Sequence, residues 1–196
     1  MDETKKALSD ILCALDGQDY IVLDTETTGL YEPELVSIAI IDRKETTLMD
    51  ELVRPGKVIE HSASRITGIT DDLVREMPEF PDIYERVREL ISTRMVVIYN
   101  ASYDMQVLRN TCRRYGLPMP KVNRWCAMEW FARLYGVRNS RTNDFTWQKL
   151  STAASYFAVK PYGAHNAMGD CITTLRTVEA GLRKARELRP HMRRLL

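Results

Sequence analysis

The chain has 196 residues, 44% of them hydrophobic and 28% charged, and its 28 Lys and Arg against 27 Asp and Glu leave a net charge of +1. This composition supports one hydrophobic core, excludes a disordered chain, and offers no run of about 20 apolar residues to cross a bilayer. The balanced charge excludes a global positive field as the means of attracting nucleic acid, so any hold on phosphate has to be local.

The start of the chain, Met1-Asp2-Glu3-Thr4-Lys5-Lys6, lacks the basic-then-apolar layout of a signal peptide, which predicts a cytoplasmic protein with no membrane partner. Residues 1–19 read as an amphipathic lead-in, with Leu8, Ile11, Leu12 and Leu15 at helical spacing. Tyr20 to Asp24 reads as a strand ending in an acidic cluster, and 34–42 and 46–53 as two further, hairpin-paired strands. Arg54-Pro55-Gly56 marks a turn, followed by helices near 63–76 and 81–92. Met95 to Tyr99 reads as a buried strand and 102–115 as a helix stopped by Gly116 and Pro118. A short strand near 122–126, a helix, a polar loop at 138–144 and helices near 146–157 and 167–188 complete the pattern. Three strands followed by strands alternating with helices predict an α/β protein with a mixed sheet flanked by helices. One main domain is expected over 20–182, with a basic tail at 183–196. The four cysteines, Cys13, Cys112, Cys126 and Cys171, are too scattered for a zinc site and read as reduced thiols.

Asp24 and Glu26 are one residue apart on a strand, so both carboxylates point to the same side. Side by side they repel, and a hard cation such as Mg²⁺ or Mn²⁺ between them would relieve that; a solvated acidic turn is the plain alternative. Thr27-Thr28-Gly29-Leu30 adds hydroxyls, backbone N–H groups, a glycine that permits close approach and an apolar surface for a base. Asp104, in Asn100-Ala-Ser-Tyr103-Asp104, falls in the first turn of a helix, where an anion is favoured whether or not it has a function. Tyr103 adds an aromatic face able to stack on a base or sugar. His165 and Asp170 would lie about 140° apart on one helix. They cannot share a face, so Asn166 is expected at the N-cap, His165 on the loop before it, and Asp170 one turn inside.

In order, Ile-Val-Leu-Asp-Thr-Glu-Thr-Thr-Gly-Leu at 21–30, Asn100 to Asp104 and His165-x₄-Asp170 resemble the three motifs of the DEDDh 3′→5′ exonucleases. That family includes the proofreading subunit of bacterial replicative polymerase and exonuclease X-like proteins. Pro55-Gly56, Ile59, Ala63, Ile66, Gly68-Ile69-Thr70 and Pro78-Glu79-Phe80 follow its usual run, so the likeness spans residues 20–182. Three positions depart from it: Tyr103 replaces the usual Phe, Ser37 a usual Glu or Gln, and Thr67 a usual His. The last two put the contacts to the terminal nucleotide in question.

The resemblance implies an RNase H-like fold: a five-stranded mixed sheet flanked by helices, with the acidic strand central and the site at its C-terminal edge. It implies that Asp24 bridges two Mg²⁺ or Mn²⁺ ions, with Glu26 and Asp170 completing the site that holds the attacking water. Asp104 would hold the second ion, and His165 would act as general base. Thr27, Leu30, Thr67, Asn100 and Tyr103 would contact substrate. The expected partner is single-stranded or 3′-end nucleic acid, DNA rather than RNA, with a DNA polymerase or a second copy as a further possibility. The expected product is a nucleoside 5′-monophosphate.

Rival readings are an exoribonuclease of the same fold, a non-catalytic binding member and a haloacid dehalogenase-type phosphatase, whose D-x-D-x-T motif Asp24-Thr-Glu-Thr-Thr28 approaches. Arg183, Lys184, Arg186, Arg189, Arg193 and Arg194 read as a solvated helix end before a phosphate-binding patch. Trp125, Trp130 and Trp147 read as core residues, and His61 and His191 carry no assigned role.

Overall fold

The computed structural model describes residues 3–163 and 165–192, so Arg193 and Arg194 of the basic tail, and the side chain of His191, lie outside the description. Helix α1 (Glu3–Leu15) leads to β1 (Tyr20–Thr27) and the hairpin β2 (Leu35–Asp42) and β3 (Thr47–Leu52). Helices α2 (His61–Thr67), α3 (Asp71–Val74) and α4 (Phe80–Ser92) return the chain to β4 (Met95–Ile98). Then come α5 (Ala101–Arg114), β5 (Asn123–Cys126), α6 (Ala127–Tyr135), α7 (Leu150–Tyr156) and α8 (Ala167–Met192). The sheet order is β3-β2-β1-β4-β5. Its β2 side is antiparallel and its β4 side parallel. The expected five-stranded mixed sheet is present, with the acidic strand at its centre.

Side-chain alternation along β1 divides the core. Tyr20 and Val22 face a layer built from α1, α6 and α8, together with Ala39, Ile41 and Val97. Ile21 and Leu23 face the opposite layer, where Val87 and Ile91 of α4 and Met105 and Leu108 of α5 pack. The amphipathic lead-in belongs to the first layer: the Trp130 indole N–H donates to the Ala7 carbonyl at 2.9 Å, tying α6 to α1. Arg186 and Arg189 near the end of α8 pair with Asp16 just beyond α1. Lys184 lies over the Tyr156 ring, 4.6 Å from its centroid. These tail cations therefore fold back on the helical layer.

Two predicted helices differ from those found. The run 63–76 is broken between α2 and α3, because Gly68 ends α2 in the left-handed region (φ 75°) and the Thr70 hydroxyl caps α3. The helix expected from 146 starts only at Leu150. Before it, the Thr146 N–H is taken by the Val137 carbonyl at 2.8 Å. Trp130 is core, as expected, and Trp125 is half-buried against it. Trp147 is not core: it is 66% exposed. All four cysteines are free thiols, with Cys112 and Cys171 buried and Cys13 exposed. No helix among the described residues is long and apolar enough to cross a membrane.

Candidate active site

β4 pairs with β1 only from Tyr20 to Val22, so the C-terminal half of β1 runs on beyond the parallel side of the sheet. The gap beside it is the crevice at the strand ends where α/β folds place their sites. Into this gap alternation sends Asp24 and Glu26 to the α8 face and Thr25 to the α5 face. A register shift after Glu26, where β2 carries one extra residue, bends the pair at that point.

On the α8 face the two strand carboxylates meet Asp170. Oxygen atoms of Asp24, Glu26 and Asp170 all lie within 4.8 Å of one another. Asp170 is delivered by the first turn of α8. Asn166 caps that turn, its side-chain oxygen accepting from the Gly169 N–H at 2.7 Å, and Asp170 N–H bonds to the Asn166 carbonyl at 3.0 Å. The next residue, Cys171, seats the helix on the sheet by donating to the Ala39 carbonyl at 3.4 Å. Gly169 permits the close approach of the preceding loop: a Cβ there would fall 1.9 Å from the Gly163 carbonyl oxygen. The loop carries His165, exposed and in the left-handed region at φ 62°.

On the α5 face Asp104 is buried, and its carboxylate accepts from the Thr25 hydroxyl at 2.8 Å. Asp104 is outside the group of three, yet it is the first of the charges that act on Asp24. The sequence reading missed Thr25. The only signal for it was its place between the two carboxylates, since its partner is 79 residues away.

Burial raises the proton affinity of all four carboxylates, and repulsion between them adds to it at Asp24 and Glu26. Asp24 is pushed well above the usual carboxylate range, first by burial and then by Asp104, Asp170 and Glu26. Glu26 rises to about 7 through burial, Asp170 and Asp104. Asp104 reaches about 7 through burial, with the Thr25 hydrogen bonds pulling it back. Burial raises Asp170 too, opposed by His165 beside it. No Lys or Arg figures among these influences. A partly buried set of hard oxygen donors, with no Lys or Arg among the described residues acting on it, fits Mg²⁺ or Mn²⁺.

Two clefts flank the carboxylates, and Asn100 lines both. The first, about 360 Å³, is lined by all five residues expected to touch substrate: Thr27, Leu30, Thr67, Asn100 and Tyr103. Leu30 is 83% exposed and Ile66 59%, so this cleft presents apolar surface to solvent. Tyr103 forms its fixed wall, its hydroxyl bonding to the Gly29 carbonyl and the Thr27 hydroxyl at 3.1 and 3.0 Å. Thr67 spends its hydroxyl on the Ala63 carbonyl at the end of α2. Ser37 sits directly across from Glu26 in the β1–β2 ladder. Behind the cleft Glu60 fills the space a side chain at Gly29 would need, with its Oε1 2.3 Å from such a Cβ.

The second cleft, about 560 Å³, is lined by His165, Asp170, Tyr99, Trp147 and Lys149 among others. A larger one, about 860 Å³, lies at the opposite end of the sheet, where Arg43 and Arg176 are neutralised by Glu179 and Glu45.

The family model for Exonuclease (RNase_T) matches residues 21–178. The chain belongs to the exonuclease family. An uncharacterized exonuclease, CP81, of Escherichia phage 186 is 37% identical over 170 residues, 83% of this chain and 87% of the relative. The DNA polymerase III subunit epsilon of Buchnera aphidicola subsp. Schizaphis graminum is 32% identical over 120 residues, 56% of this chain but only 52% of its own length. A solved structure of exonuclease X in complex with 5′ overhanging duplex DNA shares the fold, with a TM-score of 0.63 and 24% identity over 84% of this chain and 91% of that one. The exonuclease is thus a nuclease hydrolase, which removes the phosphatase alternative.

Proposed function

We propose that this exonuclease releases nucleoside 5′-monophosphates from free 3′ ends of DNA. The observation that carries the reading is the group of Asp24, Glu26 and Asp170, closed to within 4.8 Å and set between two clefts, one of which His165 lines. Asp24, Glu26 and Asp170 would hold one Mg²⁺ or Mn²⁺, Asp24 with Asp104 a second, and the ions when bound supply an activated water and neutralise phosphate charge. The remaining work falls to the chain. His165 accepts the proton of the attacking water at its imidazole, from a loop exposed enough to return that proton to solvent. Thr25 fixes Asp104, so that this carboxylate keeps its place despite repulsion. Leu30 and Ile66 cover the terminal base or sugar, and Tyr103 fixes the wall of that cleft.

The polymerase subunit among the relatives, and the DNA in the exonuclease X structure, support DNA as the substrate and a proofreading or repair role beside a polymerase. With Ser37 opposite Glu26 and Thr67 engaged in its own helix, the terminal nucleotide is held chiefly by packing. Degradation of matched single-stranded DNA, duplex DNA and RNA, with Mg²⁺ and with chelator, tests the reading. The expected result is chelator-sensitive mononucleotide release from DNA, with RNA cut more slowly. Hydrolysis that survives chelator, or faster attack on RNA, would overturn it.

A further inference from the structure

Trp147 is the one tryptophan that core packing does not explain. Trp130 is 3% exposed and stacks on Phe157, whereas Trp147 is 66% exposed on the second cleft. Its backbone is held firmly. Thr146 N–H bonds to the Val137 carbonyl on one side, and the Tyr99 hydroxyl donates to the Gln148 carbonyl at 2.9 Å on the other. Tyr99 directly precedes Asn100, the residue common to both clefts. The fold therefore displays an indole on the cleft that Asp170 also lines, against the tendency of so large an apolar surface to be buried. Lys149 lines the same cleft and forms no ion pair among the described residues.

We propose that Trp147 is a stacking platform for a base upstream of the scissile phosphate, and that Lys149 supplies charge to the phosphodiester backbone beside it. The inference rests on the nuclease reading above. With the terminal nucleoside in the first cleft and the scissile phosphate over the carboxylates, the rest of the strand continues past Asn100. Attacking water and departing 3′ oxygen lie on opposite sides of phosphorus, so the strand leaves on the side away from the water, and the second cleft, lined by both Asn100 and Trp147, receives it. Every base has a π-face, so the platform grips the strand without reading its sequence.

The test compares wild type, Trp147→Ala and Trp147→Phe on short single-stranded oligonucleotides, with an abasic residue moved stepwise upstream from the 3′ end. Loss of one base–aromatic stack predicts a KM raised about 5- to 150-fold for Trp147→Ala with little change in kcat, and near-normal values for Trp147→Phe. At the contacted position the abasic substrate erases the difference between wild type and Trp147→Ala. Tryptophan emission, titrated with oligonucleotide in Ca²⁺, is quenched in wild type and much less in Trp147→Phe. Equal KM values for wild type and Trp147→Ala, or a defect unchanged at every abasic position, would overturn the platform. A wild type that hydrolyses no polynucleotide would fault the nuclease reading instead. The quenching titration still decides the platform then, and absence of quenching would sink it.

Discussion

Asp24 and Glu26 stand on a strand paired with β2 along its length, and Asp24 feels burial as its largest perturbation. His165 stands on an exposed turn at φ 62°, five residues before Asp170. The contrast fits the roles proposed for each group. Carboxylates that repel one another must sit on an element that cannot relax, or they would separate and lose the cation site. A base that takes a proton and passes it to solvent needs access more than rigidity. The fold places Asp24 and Glu26 on the central strand of its sheet and His165 on the lining of a cleft.

The largest effect should come from the rigid half. Asp24→Ala removes the carboxylate common to both proposed ion positions, and hydrolysis of a labelled oligonucleotide with Mg²⁺ should fall below detection while the fold persists by circular dichroism. Full activity in that variant would end the mechanism. Glu26→Gln should also abolish hydrolysis, yet stabilise the metal-free protein. The Glu26 carboxyl rises from its ordinary 4.5 to about 7 on folding. Between those values the folded form keeps a proton that the unfolded chain releases, so stability is higher on the acid side and is lost as pH rises through about 7. Metal-free wild type should therefore melt lower at pH 8 than at pH 5.5. A penalty on the order of 1–3 kcal/mol corresponds to a few degrees, at about 2–4 °C per kcal/mol for a chain of this size. Mg²⁺ or Glu26→Gln should recover that loss at pH 8. A melting temperature that climbs with pH in the absence of metal would contradict the sign.

The exposed half should yield a smaller and pH-dependent loss. His165→Ala should cost about 10²- to 10⁴-fold in kcat at neutral pH, the range of a positioned general base. The deficit should shrink as pH rises and solution hydroxide does the work of the imidazole. A defect of constant size from pH 6 to 9 would show that His165 does something else.

How far the sequence led can be judged on the same two halves. Asp24 and Glu26 were legible because strand alternation is local: one intervening residue fixes a shared face. The capped start of α8 was legible for the same reason, since Asn166, Gly169 and Asp170 lie within one turn. Thr25 beneath Asp104 was not, because the contact spans the chain and nothing in either segment announces the other. Trp147 was misread for a related reason. Its segment reads as helix near 146–157, but α7 starts only at Leu150, and the residues before it bond instead to Val137 and Tyr99, far away in the chain, with the ring exposed. The break at Gly68 was signalled by Gly-Ile-Thr and passed over as helix interior.

The smallest effect tests the joint between the two halves. Asn166 reaches both ways: its Oδ1 accepts from the Gly169 N–H in the helix, and its Nδ2 donates to the Gly163 carbonyl in the loop at 3.2 Å. Asn166→Ala loses both bonds, and loss of the cap alone should cost about 1 kcal/mol, a drop of roughly 2–4 °C in Tm. Asn166→Asp keeps the acceptor for Gly169 and loses only the donor to Gly163. If loop and helix serve separate ends, Asn166→Asp should melt like wild type and still lose several-fold in kcat, because the loop that carries His165 is no longer tied to the helix that carries Asp170. Equal kcat in Asn166→Asp and wild type would mean that Gly169, packed against the Gly163 carbonyl, holds the loop by contact alone.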